Sequence, residues 1–529
     1  MFKRVAILFF MITTILYSQT GAQYLIITHD NFYNAILPLA QWKHKKGLAT
    51  RIVTLSEIGA TAESISRIKN YIVSAYNNWT PRPEYVLLVG APEYLRAEQN
   101  QFDDYYGNTM GNYLMELSVG RFSCRTVSEC SLLVYKTLSY ERYPYLTDTF
   151  WYLKATGIVR EDYSASDSVY WQDLRYIYDL WLTSGYRHID SFSRANGNSG
   201  QDVENAITEG RAFVVFRGQG VNNWWSPFAI NPESTHNGYK LPIIVSGTCA
   251  TLSLEPNVAY LGERAVRAGS TVEPKGAVAF LGTTNSASGT NLSIMRGIVT
   301  KRFFNAIYTE NITKLGDALR RSKFILDSLR PSGYNSTRYR EWNLLGDPEL
   351  NIWTDVPRSL IANYDSVIPL GTQNLLVEVS SNGAPISNAL VCIYQPNLIY
   401  QSGFTDSLGR VVFTVTPTVP GTVSLTVTKH NFCPYEGYIR VVASGLLDNT
   451  TKARNTSYPK HANPIKNAVK FCGNYSQVVI YDILGRKVKT IQLNRNTTSI
   501  DISGLMAGVY LVSFIGHEQN YYTKLVKIK

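Results

Sequence analysis

At 529 residues the chain is too long for a single domain and fits three or four at roughly 100–200 residues each. A hydrophobic content of 45% with 17% charged residues excludes a disordered protein. The net charge of +11 is weighted toward the end of the chain, where twelve Lys or Arg stand against four Asp or Glu from residue 446 onward. Those charges are scattered among alternating apolar residues, the pattern of a solvated strand face and not of a nucleic-acid patch.

The first 22 residues read as a secretory signal peptide. Lys3 and Arg4 supply the positive start, Val5 to Tyr17 a short apolar core, and Thr20 and Ala22 a small-residue cleavage site. No later run approaches the ~18 apolar residues of a membrane helix, so no transmembrane segment is expected after signal removal. From residue 23 to 355 short apolar strands alternate with helical patterns. "QYLIITH", "ATRIVTL" and "EYVLLVGAP" are strands, and the segments from Ala35 to Gly47 and around "ESISRIKNYIVSAYNNW" are helices. After Trp151 the pattern resumes with the helix "YWQDLRYIYDLWLTSG" and the strands "RAFVVFRG", "LPIIVSG" and "KGAVAFLG". Such alternation predicts a parallel sheet with flanking helices, in lobes of about 23–145 and 146–355 or as one long sheet.

Beyond residue 355 the period changes to two. Residues 356–445 hold "NLLVEVSSNG", "ALVCIYQ", "GRVVFTVTP" and "VSLTVTKHN", a β-sandwich of immunoglobulin size. Residues 446–466, rich in Asn, Thr, Lys and Pro, read as a linker. Residues 467–529 form a second small all-β module. The six cysteines lack zinc-site spacing, and an exported protein permits disulfides. Cys392 and Cys433 are the candidate bridge. Cys249 stands apart, at the end of a buried strand.

Residues 23–355 resemble the gingipain family of secreted cysteine peptidases, whose fold is caspase-like. The resemblance rests on "DDYYGN" (Asp103 to Asn108), "LSVGRFSCRT" (Leu117 to Thr126), the strand ends "RGQG" and "SGTC", "GERAVRAG", "GAVAFLGTT" and "LLGDPELNIW". An immunoglobulin-like domain behind the peptidase unit matches gingipain architecture. The closing module, with "VVIYDILGRKV", "ISGLMAGVYLVSF" and "KLVKIK", resembles the C-terminal sorting domain of type IX secretion. The resemblance implies export through the periplasm by the general secretion route, then type IX release to the surface or medium. It implies as partners the secretion machinery and a protein or peptide substrate or ligand. No cofactor is required; calcium is possible by family resemblance, with no ligands to assign.

In that family one strand ends in Gly-His-Gly and the next in the nucleophilic Cys. Cys249 matches the nucleophile position and Gln219, between Gly218 and Gly220, matches the histidine position, 30 residues upstream. The N–H groups of Gly220 and Cys249 match the oxyanion donors. A glutamine amide neither takes nor gives a proton at accessible pH, so general acid–base catalysis, typically worth about 10²–10⁴-fold, is lost. His236, in the loop between the two strands, is the nearest alternative base, and His29 the next. Arginine-specific members carry an acidic specificity residue in the stretch that here reads "NTMGNYLMELS", whose one carboxylate, Glu116, is not assigned that role. Three readings stay open: a weakly active or inactive surface or binding module, an active endopeptidase using Cys249 with another base, and a transpeptidase or secretion-accessory protein.

Overall fold

The computed structural model describes residues 21–160, 167–221, 224–443, 468–470, 475–483, 485–494, 499–516 and 520–527. The signal segment up to residue 20, the linker 446–466 and Cys472 lie outside them. The α/β unit contains the strands β1 (Tyr24–Thr28), β2 (Thr50–Thr54), β3 (Tyr85–Val89), β4 (Ser118–Phe122), β5 (Lys154–Val159), β6 (His188–Ser193), β7 (Phe213–Arg217), β8 (Gln219–Val221), β9 (Trp224–Ser226), β10 (Ile243–Gly247), β11 (Ala279–Thr283) and β12 (Trp342–Leu345). Ten of them form one continuous sheet in the order β2-β1-β3-β4-β12-β11-β10-β7-β5-β6, and β8 and β9 form a separate two-stranded ribbon.

All neighbours in the large sheet are parallel except β11 and β12, which pair antiparallel, Phe280 opposite Leu345. Because β12 is parallel to β4, the sheet consists of two parallel blocks running in opposite directions. The two expected lobes therefore share one sheet, closed by a strand from the far end of the unit. Both faces are covered by helices, which is why the strands read as unbroken apolar runs. Along β7, Val214 and Phe216 enter one core while Phe213 and Val215 enter the opposite one. The first core is closed by helices such as Tyr33–Lys45 and Val127–Glu141, the second by Asp167–Thr183, Thr290–Tyr308 and Leu315–Leu329.

The remaining described chain is all β. Residues 358–442 form facing sheets around one core that includes Val377, Phe413, Val391, Leu425 and Ile439. The closing module has a four-stranded antiparallel sheet, with Gly508–Gly516 central and Val478, Ile480, Val512 and Phe514 inside. The expected Cys392–Cys433 bridge is not formed. Cys392 faces the α/β unit, in close contact range of Gly47, whereas Cys433 pairs with Ser359 on a different strand. No helix among the described residues is long and apolar enough to cross a membrane.

Candidate active site

Strands β7 and β10 are adjacent, parallel and in register, with Arg217 opposite Gly247. Gly218-Gln219-Gly220 and Thr248-Cys249 therefore leave the sheet side by side. Arg217 ties the two exits together from below. Its guanidinium is fully buried and donates to the Gly247 carbonyl, to the Ser293 carbonyl (2.6 Å) and to Asp173 Oδ2 (2.9 Å). Above it, the ribbon β8–β9 is anchored by Trp225, which stacks on Phe216 at 5.0 Å and donates from Nε1 to Ser246 Oγ (2.8 Å). Thr248 Oγ1 donates to the Gly218 carbonyl (2.7 Å), and Thr283 Oγ1 to the Thr248 carbonyl (2.7 Å). Both glycines are demanded by crowding. A Cβ on Gly218 would lie 2.4 Å from Arg160 Cβ, and one on Gly220 would lie 2.3 Å from the Cys249 carbonyl oxygen.

Cys249 is 7% exposed at this rim. Two backbone donors adjoin it. Val221 and Trp224, the last pair of the ribbon, are only three positions apart in the chain, so they are the pair that exchanges hydrogen bonds. By alternation, Gly220 opposite Trp225 directs its N–H away from the ribbon. Neither this N–H nor that of Cys249 meets an acceptor among the described residues, although the flanking Thr248 and Ala250 N–H groups bond to Ser246 and Asn285 carbonyls at 3.0 Å. A thiol beside two unclaimed N–H groups is the arrangement that stabilises an oxyanion during acyl transfer.

The residue that sequence reasoning missed is Arg160. It follows β5, which lies beside β7, and its N–H donates to the Arg217 carbonyl (2.9 Å). Its guanidinium donates to Oε1 of Gln219. The contact orients the Gln219 amide so that the other half, Nε2, is a pure donor. The only signal in the sequence was a charged residue closing the apolar run "ATGIV".

No described histidine reaches Cys249. His236 is exposed on the opposite edge of the sheet, near the starts of β7 and β11, where its N–H donates to Thr208 Oγ1 (3.2 Å) and its Nδ1 pairs with Glu273 (3.1 Å). The five-residue β10, about 16 Å at ~3.3 Å per residue, separates it from the thiol, so it is not the base. His29 follows β1, whose block runs the other way, and so lies on that same far edge against Tyr94. His188 starts β6 there too, His44 stacks on Tyr400 of the sandwich, and His430, within the sandwich, meets Thr354. His461 and His517 are outside the described residues.

The other shared blocks are structural. Arg121 of "GRF" is fully buried and grips Asp103 of "DDYYGN" through two bonds of 2.7 and 2.6 Å. Glu116 accepts from the Thr109 N–H (2.6 Å), closing its own loop. Glu141, Asp347 and Glu349 cluster in the interior, but Lys43 Nζ lies 2.7, 2.5 and 2.6 Å from them and Lys46 joins it. Lysine ammonium groups already satisfy these carboxylates, so the cluster does not fit calcium. Glu263 of "GERAVRAG" is buried and accepts from the N–H groups of Ser253 (3.0 Å) and Tyr260 (2.8 Å), pinning the loop that leaves Cys249.

Residues 17–353, well over half of the chain, match peptidase family C25. The chain belongs to this family. Residues 458–529 match a secretion system C-terminal sorting domain, which marks the protein for release to the cell surface or beyond. Gingipain R2 of Porphyromonas gingivalis is 24% identical over 536 aligned positions, covering 97% of this chain and 68% of that protein. Lys-gingipain HG66 of the same species is 22% identical over 454, covering 79% of this chain and 25% of its own length. The crystal structure of the Arg-specific cysteine proteinase gingipain R superposes with a TM-score of 0.71 at 20% identity, over 80% of this chain and 98% of that one. The C25 member described here thus has the gingipain fold, caspase-like in its α/β unit.

Two predictions concern the frame of this site. Arg217→Met strips the Gly247 and Ser293 carbonyls of their buried donor and leaves Asp173 only Lys301 (2.8 Å) as a cation, and is expected to cost about 2–3 kcal/mol in denaturant unfolding. A loss below about 1 kcal/mol contradicts the clamp. Burial raises the Glu263 carboxyl from its ordinary 4.5 to about 7. The raised value favours the folded state below pH 4.5, and that contribution is lost as pH rises through 7. Glu263→Gln cannot ionise, so its stability relative to wild type is expected to improve between pH 5 and pH 8; an unchanged or opposite difference contradicts the assignment.

Proposed function

We propose that this C25 protein is a secreted surface or binding module in which Cys249 is retained as a nucleophile without a working proton shuttle. The observation that carries the reading is the Arg160 guanidinium on Oε1 of Gln219. Peptide hydrolysis needs a group that takes the thiol proton and returns one to the leaving amine. Gln219, read as standing at the family's histidine position, can do neither, and Arg160 supplies a fixed cation where a base needs an orienting acceptor. Residues 1–22 are read as the signal peptide, 356–445 as an immunoglobulin-like domain, and the sorting module as the part recognised by type IX machinery. No cofactor is needed for these roles.

The same geometry predicts how activity returns. Gln219→His alone places an imidazole against a guanidinium, which disfavours the imidazolium that must form. Arg160→Glu with Gln219→His supplies both the base and a carboxylate to orient it. The double variant is expected to cleave a mixed peptide library about 10²–10⁴-fold faster than wild type, with the single variant well below it. An inert double variant that still folds would show that the rim has diverged beyond its proton shuttle.

A further inference from the structure

A site that has lost its base has not lost its donors. Around Cys249 the rim offers the Gly220 N–H, the Cys249 N–H and the Nε2 half of Gln219, while the one acceptor on that side chain, Oε1, is held by Arg160. The two N–H groups are on adjoining backbones, Gly220 being close enough to Cys249 that a Cβ would strike its carbonyl oxygen. Donors on neighbouring residues with a guanidinium behind them suit a flat anion with two oxygens. A neutral peptide carbonyl uses one oxygen and leaves the remaining donors unsatisfied.

A small cavity adjoining Ala250, the residue after Cys249, suits the group that would carry that anion. It measures about 150 Å³ and is lined by Asn100, Gln101, Tyr260, Thr284 and Asn285 among others. That is well below the ~300 Å³ of a typical small-molecule pocket and admits one side chain. Glu255 also lines it and disfavours an acidic side chain there. Resting on the inert-site reading, we propose that the Cys249 rim is a receptor for the free C-terminal carboxylate of peptides whose last residue is not acidic. One carboxylate oxygen takes the Gly220 and Cys249 N–H groups, and the other takes Gln219 Nε2.

The test uses the full chain and two fluorescent mixed-sequence hexapeptide pools with glutamate at internal positions, one ending in a free acid and the other in an amide. Anisotropy is expected to show the acid pool binding about 10–100-fold more tightly, the range of charge-assisted hydrogen bonds. Gln219→Glu, which turns a donor into a second anion, is expected to abolish that preference. Equal binding of the two pools, no binding of either, or an unchanged preference in a folded Gln219→Glu overturns the proposal. Mass spectrometry of the recovered peptides reports on the inert-site reading separately. If either pool is cut, that reading has failed, and the acid preference is measured in Cys249→Ala, which keeps both backbone donors.

Discussion

The fully buried guanidinium of Arg217 is the interaction on which the site depends. Two neighbouring parallel strands would present their ends together in any doubly wound sheet, but their first free residues are held in place only if something fixes the exits. Arg217 does this from beneath, bonding the carbonyl at the end of β10 while drawing its countercharge from Asp173 on a covering helix. An ion pair taken out of water contributes little net stability compared with an apolar replacement; its value lies in geometry, because it has few alternative arrangements. The ribbon that follows, pinned by Trp225, then needs only two glycines to bring Gly220 against Cys249.

The remaining family blocks keep this frame rigid from a distance. The bidentate Arg121–Asp103 pair fixes the long crossing from β3 to β4, and Lys43 gathers Glu141, Asp347 and Glu349 where the chain leaves β12. These residues build the sheet and its loops. Their presence therefore speaks for the fold and is silent on activity.

Much of this was legible in the sequence, and the reasons for the exceptions are physical. Fully buried parallel strands have no polar face, so "FVVFRG" and "LPIIVSG" stand out as runs, and their ends pointed to Gln219 and Cys249. The antiparallel join at β12 was not legible, since strand order and direction are set by contacts distant in the chain, Phe280 with Leu345 and Leu345 with Arg121. For the same reason His236, close in sequence to both strand ends, lies across the sheet from them. Arg160 escaped notice because β5 pairs beside β7, and only that pairing brings the residue after β5 to Gln219.

On the function proposed above, the two halves of a cysteine peptidase site are separable: the oxyanion donors come from backbone that the fold fixes, while the proton shuttle rests on a side chain. The most direct measurement exposes the full-length protein and its Cys249→Ala variant to a broad peptide library and counts new termini by mass spectrometry. The account predicts that the two proteins produce the same background. Cleavage by the wild type that disappears in Cys249→Ala would contradict it, and would mean that a base other than the described histidines serves Cys249.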